Sequence, residues 1–292
     1  MNFSINTSPF AGKEGDFSTS RNLKDRLDRE LLSDVALKVE TTGSDSSFVV
    51  SGRGELHLSI LIEKMRREGY EFQVGKPQVI FHEDKGKQTE PFEDVYIESP
   101  ERAQGTVIEK LGRRKGEMKD MKVERGTAHM HFVVPTRGLI GYRSEFMTDT
   151  KGEGIINTLF NGYKPYGGEM TGTAHGSLIS FESGESNMYG LMSAQERGQL
   201  FIGPGVPVYE GMIVGQTAKP EDLEVNICRT KKLSNMRSKG EGGMEHFDTP
   251  RNLTLEEFIE YLGDDELLEV TPKSLRLRKM YLTSIERKRN SK

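Results

Sequence analysis

Tryptophan is absent from this 292-residue chain and cysteine occurs once, as Cys228. A lone cysteine makes no internal disulfide, and the opening MNFSINTSPF lacks the basic and apolar regions of a secretory signal, so a reducing cytoplasm is the expected compartment. No apolar run approaches the roughly 20 residues of a membrane-spanning helix, and no membrane partner is expected. An excess of positive charge is missing too. With 41 Lys+Arg against 45 Asp+Glu the net charge is −4, so bulk charge will not draw the chain to nucleic acid. The phosphate loop G-x-x-x-x-G-K-[ST], which needs glycine N–H donors, a lysine for the β/γ-phosphates and a hydroxyl for Mg²⁺, has no match. Gly12-Lys13, Gly75-Lys76 and Gly86-Lys87 are followed by Glu14, Pro77 and Gln88. Neither G-x-S-x-G nor H-E-x-x-H occurs, and Cys228, in an apolar run with no histidine beside it to activate it, is a poor nucleophile.

Glycine, in contrast, is plentiful at 32 residues, which implies many tight turns between short elements. A chain of this length holds two or three domains at about 100–200 residues each. Residues 2–7 read as extended; Thr19 or Ser20 then caps a helix whose Leu23, Leu27 and Leu31 share a face. VALKVE (35–40) and SFVVSG (47–52) read as a hairpin. ELHLSILIEKMRREG reads as a helix carrying Leu56, Ile60, Leu61 and Met65 and stopped by Gly69, and YEFQVGKPQVIFHE is extended again. That order, β-α-β-β-α-β, is the ferredoxin-like unit. It recurs with a strand at 91–98, a helix at 100–111, two strands around Gly126, a helix over RGLIGYRSEFMTDT and a closing strand IINTLFNGY, and KPYGGEMTG reads as a linker. Beyond 173, short β-like pieces alternate with glycines, LTLEEFIEYL reads as the one helix, and the tail ERKRNSK is expected to fray. The fold class is α+β: two ferredoxin-like modules, 1–86 and 87–170, then a mostly β domain with one helix, 171–292.

The near-neutral total conceals separated charge. Residues 229–239 carry Arg229, Lys231, Lys232, Arg237 and Lys239 with no acid, a local +5. Residues 241–269 sum to −9 and residues 270–292 to +7. The basic run suits phosphate contact, with Ser234 and Asn235 adding hydrogen bonds. It equally suits a solvated loop that balances the acids after it, and composition alone favours that plainer reading. No aromatic interrupts the run, so base stacking is not implied. In LRLRKMYL the period of two puts Arg276 and Arg278 on one face, with Lys279 following. That face either lines RNA or merely guards a sheet edge. A third basic group, Arg113, Arg114 and Lys115, falls in a turn with acids close behind it.

His129 and His131, two apart on a strand, point the same way as metal ligands would, but nothing nearby supplies a third or fourth ligand, so plain strand histidines are the favoured reading. Gly52 and Gly54 in SGRGELHL allow a strand-to-helix turn with a helix N-terminus that suits an anion, although the nucleotide-binding lysine is missing and a structural turn is favoured.

SPFAGKEGDFSTSR, VSGRGELHLSILIEKMRREGYEF, PTRGLIGYRSEFMT, GQLFIGPGVPVYEGMIVG, KKLSNMR and DDELLEVTPKSLRLRK, in that order, closely resemble the C-terminal half of the BipA/TypA translational GTPases. GRGELHL resembles the third-domain signature shared with elongation factor G, RGLIGYRSEF the domain corresponding to that factor's fifth, and the stretch from about 173 the family's own C-terminal domain. After NMR, the run SKGEGGMEHFDTPRN departs from the shorter family sequence.

The resemblance implies that a G domain and a second, β-barrel domain precede Met1, that this chain is a fragment without enzymatic activity, and that GTP and Mg²⁺ belong to the missing G domain rather than to this chain. It implies a ribosome-dependent parent linked to stress, cold growth, virulence and large-subunit assembly. The implied partners are ribosomal RNA, ribosomal proteins, A-site tRNA and the parent's own N-terminal domains. Carried onto KKLSNMR, it marks Lys231, Lys232, Asn235 and Arg237 as RNA-contacting and reverses the composition-only preference for that loop. The full expected RNA-binding set is Arg229, Lys231, Lys232, Asn235, Arg237, Lys239, Arg276, Arg278 and Lys279. The rival expectation is a protein-interaction scaffold, its acidic 241–269 surface binding a protein and no RNA.

Overall fold

The computed structural model describes residues 1–42, 46–84, 86–170, 176–217, 219–230 and 246–290. The chain forms two compact units, Met1–Lys76 together with Ala174–Lys292, and Pro77–Thr173. Where the sequence order suggests three successive modules, the first and last stretches share one unit.

The first unit begins with β1 (Asn2–Ser4), α1 (Ser20–Ser33), β2 (Lys38–Thr41), β3 (Ser47–Ser51), α2 (Glu55–Arg67) and β4 (Phe72–Gly75). Thr19 caps α1, its side chain accepting from the Asn22 N–H, which satisfies one of the donors that a helix start leaves free. Gly69, at φ +92, turns the chain out of α2. The buried stripe of α2 is Leu58, Leu61, Ile62 and Met65. Leu56 and Ile60, expected to share in that face, are exposed.

In the second unit, β5 (His82–Asp84), β6 (Lys87–Pro100), a 3₁₀ turn (Glu101–Ala103), α3 (Gln104–Arg113), β7 (Glu117–Glu124), β8 (Thr127–Pro135), α4 (Thr136–Leu139), α5 (Tyr142–Asp149) and β9 (Ile155–Pro165) follow. β6 pairs with β8 and β9, and β8 with β7, all antiparallel, which is the expected ferredoxin-like order. Val95 and Ile97 of β6 pack with Val107, Leu111, Tyr142 and Phe146 in its core. The expected helix over 137–150 is broken into two at Gly141, which sits at φ +71.

The C-terminal stretch contributes β10 (Ser177–Ser180), β11 (Gly184–Glu185), α6 (Met188–Gln195), β12 (Gly198–Leu200), β13 (Pro207–Val208), β14 (Ile213–Thr217), β15 (Leu223–Val225), α7 (Leu255–Tyr261), β16 (Glu266–Val270), β17 (Leu275–Lys279) and α8 (Ser284–Asn290). α7 is the expected helix, opened by a Thr254–Glu257 capping box. α6 and α8 are additional. A four-stranded sheet, β12-β14-β10-β15, covers its own core with Leu191 and Ala194 of α6. β16 and β17 instead join the N-terminal sheet, giving β17-β16-β4-β1-β3-β2. Leu268, Val270 and Leu277 thereby share one core with Phe3, Phe48 and Phe72.

Candidate nucleic-acid interface

Of the basic run, Lys231, Lys232, Asn235, Arg237 and Lys239 lie outside the described residues. Both flanks of that stretch are described, and both are tied to α6. At the near flank the exposed Arg229 guanidinium lies 5.5 Å from the centre of the Tyr189 ring, a cation–π contact. Asn187 caps α6 through its side chain, and its own N–H donates to the Ile227 carbonyl at 2.8 Å. Gly190 makes this approach possible: a Cβ there would sit 2.6 Å from that same carbonyl oxygen. At the far flank, Gln195 Nε2 donates to the His246 carbonyl at 2.7 Å, and its Oε1 accepts the Asp248 N–H at 2.9 Å. An eight-residue helix rises about 12 Å. Arg229 is therefore placed at one end of α6, and His246 and Asp248 at the other.

The three cations of β17 behave differently from the expectation that they face RNA. Arg276, its side chain only 11% exposed, is paired with Glu14 and, at 3.5 Å, with Glu269. Buried Arg278 donates to Thr7 Oγ1 at 2.7 Å and to Gln73 Oε1 at 2.6 Å. Buried Lys279 lies 2.6 Å from Asp222, 3.1 Å from Asp265 and 3.0 Å from Glu266. Period two does place Arg276 and Arg278 on one face, but Thr7 and Glu14 fold over that face and, with Gln73 and Glu269, engage most of its donors. None of the three is free to neutralise a phosphate in this conformation. The reason is physical: a charge so enclosed is tolerated only when paired, as Arg276 and Lys279 are, or hydrogen-bonded, as Arg278 is to neutral acceptors. Glu269, also buried, accepts from the Tyr209 hydroxyl. Burial pushes its carboxyl above the usual range, with Arg276 opposing.

The acidic run of the rival scaffold reading is likewise partly interior. Glu266 and Glu269 are buried, Glu257 pairs with Arg251 at 2.9 Å and Asp264 with Lys76 at 3.1 Å. A −9 tally along the sequence is therefore not a −9 surface.

The histidines are engaged locally. His131 Nε2 lies 2.8 Å from Asp94 Oδ1 and its ring stacks on Tyr96 at 4.5 Å, while His129 approaches Glu98 at 3.7 Å. The His131 hydrogen bond leads the effects that hold the Asp94 carboxyl below its ordinary range. Among the described residues no group of three or more His, Cys, Asp or Glu side chains is placed to hold a metal. His57 closes the SGRGELHL turn from within, accepting the Arg53 N–H on Nδ1 at 3.2 Å and meeting Asp34 through Nε2 at 2.5 Å. Burial pushes the Cys228 thiol up, away from a reactive thiolate.

With the geometry in place, similarity to known proteins adds the frame. The sequence model of the TypA/BipA C-terminal domain matches residues 175–284, that of the elongation factor G C-terminus 87–173, and that of elongation factor G domain III 13–76. The large ribosomal subunit assembly factor BipA of Synechocystis is 50% identical over 281 residues, 96% of this chain. The chain belongs to the TypA/BipA family. Other relatives agree: the Bacillus subtilis factor of the same name is 48% identical over 294 residues, and a putative elongation factor TypA-like SVR3, chloroplastic, of Arabidopsis thaliana is 50% identical over 279. The chain spans about half the length of these TypA/BipA relatives, 47%, 48% and 41% in turn. Both α6 with Arg229 and the enclosed cations of β17 fall in the TypA/BipA C-terminal domain, whereas Arg113 and Arg143 fall in the elongation factor G-like stretch.

Proposed function

We propose that this chain is the ribosome-binding C-terminal portion of a TypA/BipA translational GTPase acting in the cytoplasm in large-subunit assembly. The observation that carries the reading is 48–50% identity, over 95–100% of the chain, to relatives that include large ribosomal subunit assembly factors. On this reading the 229–239 run meets ribosomal RNA, and further surfaces meet ribosomal proteins and A-site tRNA. The parent's link to stress and virulence belongs to the same proposal. GTP and Mg²⁺ are held by a G domain outside this chain, since its sequence supplies no phosphate loop.

The test is co-sedimentation of the purified chain with large subunits and their precursors across a salt series. Charge reversal at Lys231, Lys232 and Arg237 should weaken binding and flatten its salt slope by about one for each phosphate no longer neutralised. Unchanged binding and slope would remove the loop assignment, and GTP turnover by the chain alone would overturn the division of labour. A second reading, a protein-interaction scaffold that touches no RNA, is favoured by exposed Ile155, Leu159 and Phe160 on β9. Loss of association after nuclease treatment of the partner argues against it.

A further inference from the structure

We propose that the second unit carries a phosphate-contacting corner of its own, formed by Arg113, Lys115 and Arg143, for the backbone of structured RNA. The proposal deepens the ribosome-binding reading and rests on it for the source of that RNA. Its centre is Arg114, which is spent on the fold. Arg114 Nη1 donates to the Gly138 carbonyl at 2.9 Å and the Ile140 carbonyl at 3.1 Å, and Nη2 to Glu145 at 3.0 Å. The same guanidinium lies 5.3 Å from the centre of the buried Tyr142 ring. Gly138 makes room for the clamp, since a Cβ there would stand 2.6 Å from the Arg114 carbonyl oxygen. The α3–β7 turn and the α4–α5 turn are thereby fixed against each other.

The sequence neighbours of the clamp point outward. Arg113 and Lys115 flank Arg114, and Arg143 lies between Tyr142 and Glu145, the two residues the clamp touches on the other side. All three are exposed. Arg113 has one carboxylate partner, Glu109, at 2.5 Å, in a pair more than half exposed on both sides. A phosphate exchanges readily for such a partner. Lys115 and Arg143 have no carboxylate within 4.0 Å among the described residues.

The acids nearby are already committed. Glu145 goes to Arg114 and Lys110, Asp149 to Lys110 at 2.8 Å, and Glu117 to Lys119 at 2.5 Å. The corner thus presents uncompensated positive charge on a rigid base, the arrangement that neutralises phosphates. Its one aromatic, Tyr142, is buried beneath Arg114, so backbone contact rather than base stacking is expected.

The experiment measures the full chain against a mixed-sequence RNA duplex by fluorescence anisotropy from low to moderate salt, alongside co-sedimentation with large subunits. The variant Arg113→Gln/Lys115→Gln/Arg143→Gln should flatten the salt slope by about two to three and lose roughly 40-fold in affinity at the low-salt end. The charge-keeping variant Lys115→Arg/Arg143→Lys should retain both. Lys115 stands at φ +63, where glycine is at home, so Lys115→Gly should keep or raise the melting temperature while weakening binding. That outcome separates charge from folding. A neutral triple variant with unchanged affinity and slope overturns the corner, as does a wild-type chain that binds no duplex at any salt. Duplex binding lost with the corner but no co-sedimentation by the wild type overturns the ribosome reading instead and leaves the corner standing.

Discussion

Replacing Glu71 by alanine should loosen the first unit more than any surface change of similar size. Glu71 is 2% exposed, and its carboxylate collects Asn6 Nδ2 at 2.9 Å and the N–H groups of Gly12, Gly15 and Glu14 at 2.7, 3.0 and 3.4 Å. It is the centre around which residues 6–15 wrap. A hydrogen bond to a charged acceptor contributes about 1.5–3 kcal/mol, and orphaning its buried donors adds to the loss. Part of this loop reaches water, which can replace some of the partners, so about 2–4 kcal/mol is expected for the set rather than the full sum. At roughly 2–4 °C per kcal/mol for a unit of this size, its melting transition should fall by roughly 5–15 °C. Differential scanning calorimetry measures this directly, with the transition of the second unit as the internal reference. Glu71→Gln keeps the volume but turns an N–H₂ towards waiting N–H donors, and should fall between alanine and wild type. A Glu71→Ala transition within about 1 °C of wild type would refute the claim that the carboxylate organises the loop.

Other substitutions probe the remaining geometry. Gly190→Ala puts a methyl against the Ile227 carbonyl and should cost about 1–3 kcal/mol in urea unfolding, while an unchanged midpoint would show that this close approach is not needed. Lys279→Ala leaves Asp222, Asp265 and Glu266 without their cation, and a loss of about 3 kcal/mol or more in urea is expected, with Lys279→Arg recovering part of it. Burial raises the Glu269 carboxyl, so the folded chain holds that proton more tightly than the unfolded one. Its stabilising effect is present below the unfolded value and is lost as pH rises through the folded one. Glu269→Gln should therefore match wild type at about pH 4 and equal or exceed it at about pH 8, and a destabilised variant at the higher pH would show that the Arg276 pairing outweighs burial.

The sequence carries the two ferredoxin-like units plainly because their helices and strands are periodic and separated by recognisable stops such as Gly69 and Gly126. Local chemistry would have revealed more than periodicity did. Asn187 caps α6 two residues before Tyr189, and Thr283 and Glu286 exchange the hydrogen bonds of a capping box that starts α8, with Glu286 N–H to Thr283 Oγ1 at 3.3 Å and Thr283 N–H to Glu286 Oε2 at 3.2 Å. Gly190 disguised the first of these helices, and a run of basic residues disguised the second. The misplacement of Arg276, Arg278 and Lys279 has a different origin. Period two reports which face a residue takes, and says nothing of what the other end of the chain folds over that face. The partners of the two arginines, Thr7, Glu14 and Gln73, stand up to 271 positions away. Charge summed along a segment has the same blindness, counting Glu266 and Glu269 as surface when they are enclosed.

The sheet that β16 and β17 complete also sets an order of assembly during synthesis. Residues 77–173 can pair all their strands among themselves as soon as they have been made, so the second unit is able to fold while the rest is still being translated. The first unit has to wait. Until residues 266–279 emerge, β4 is a bare edge, Gln73 and Glu14 lack the arginines they will hold, and Phe72 and Val74 lack the cover of Leu268 and Val270. The earliest-made module is thus the last to be finished, held open across a folded insert, and a ribosome stalled before β16 would leave that edge exposed to pairing with other chains.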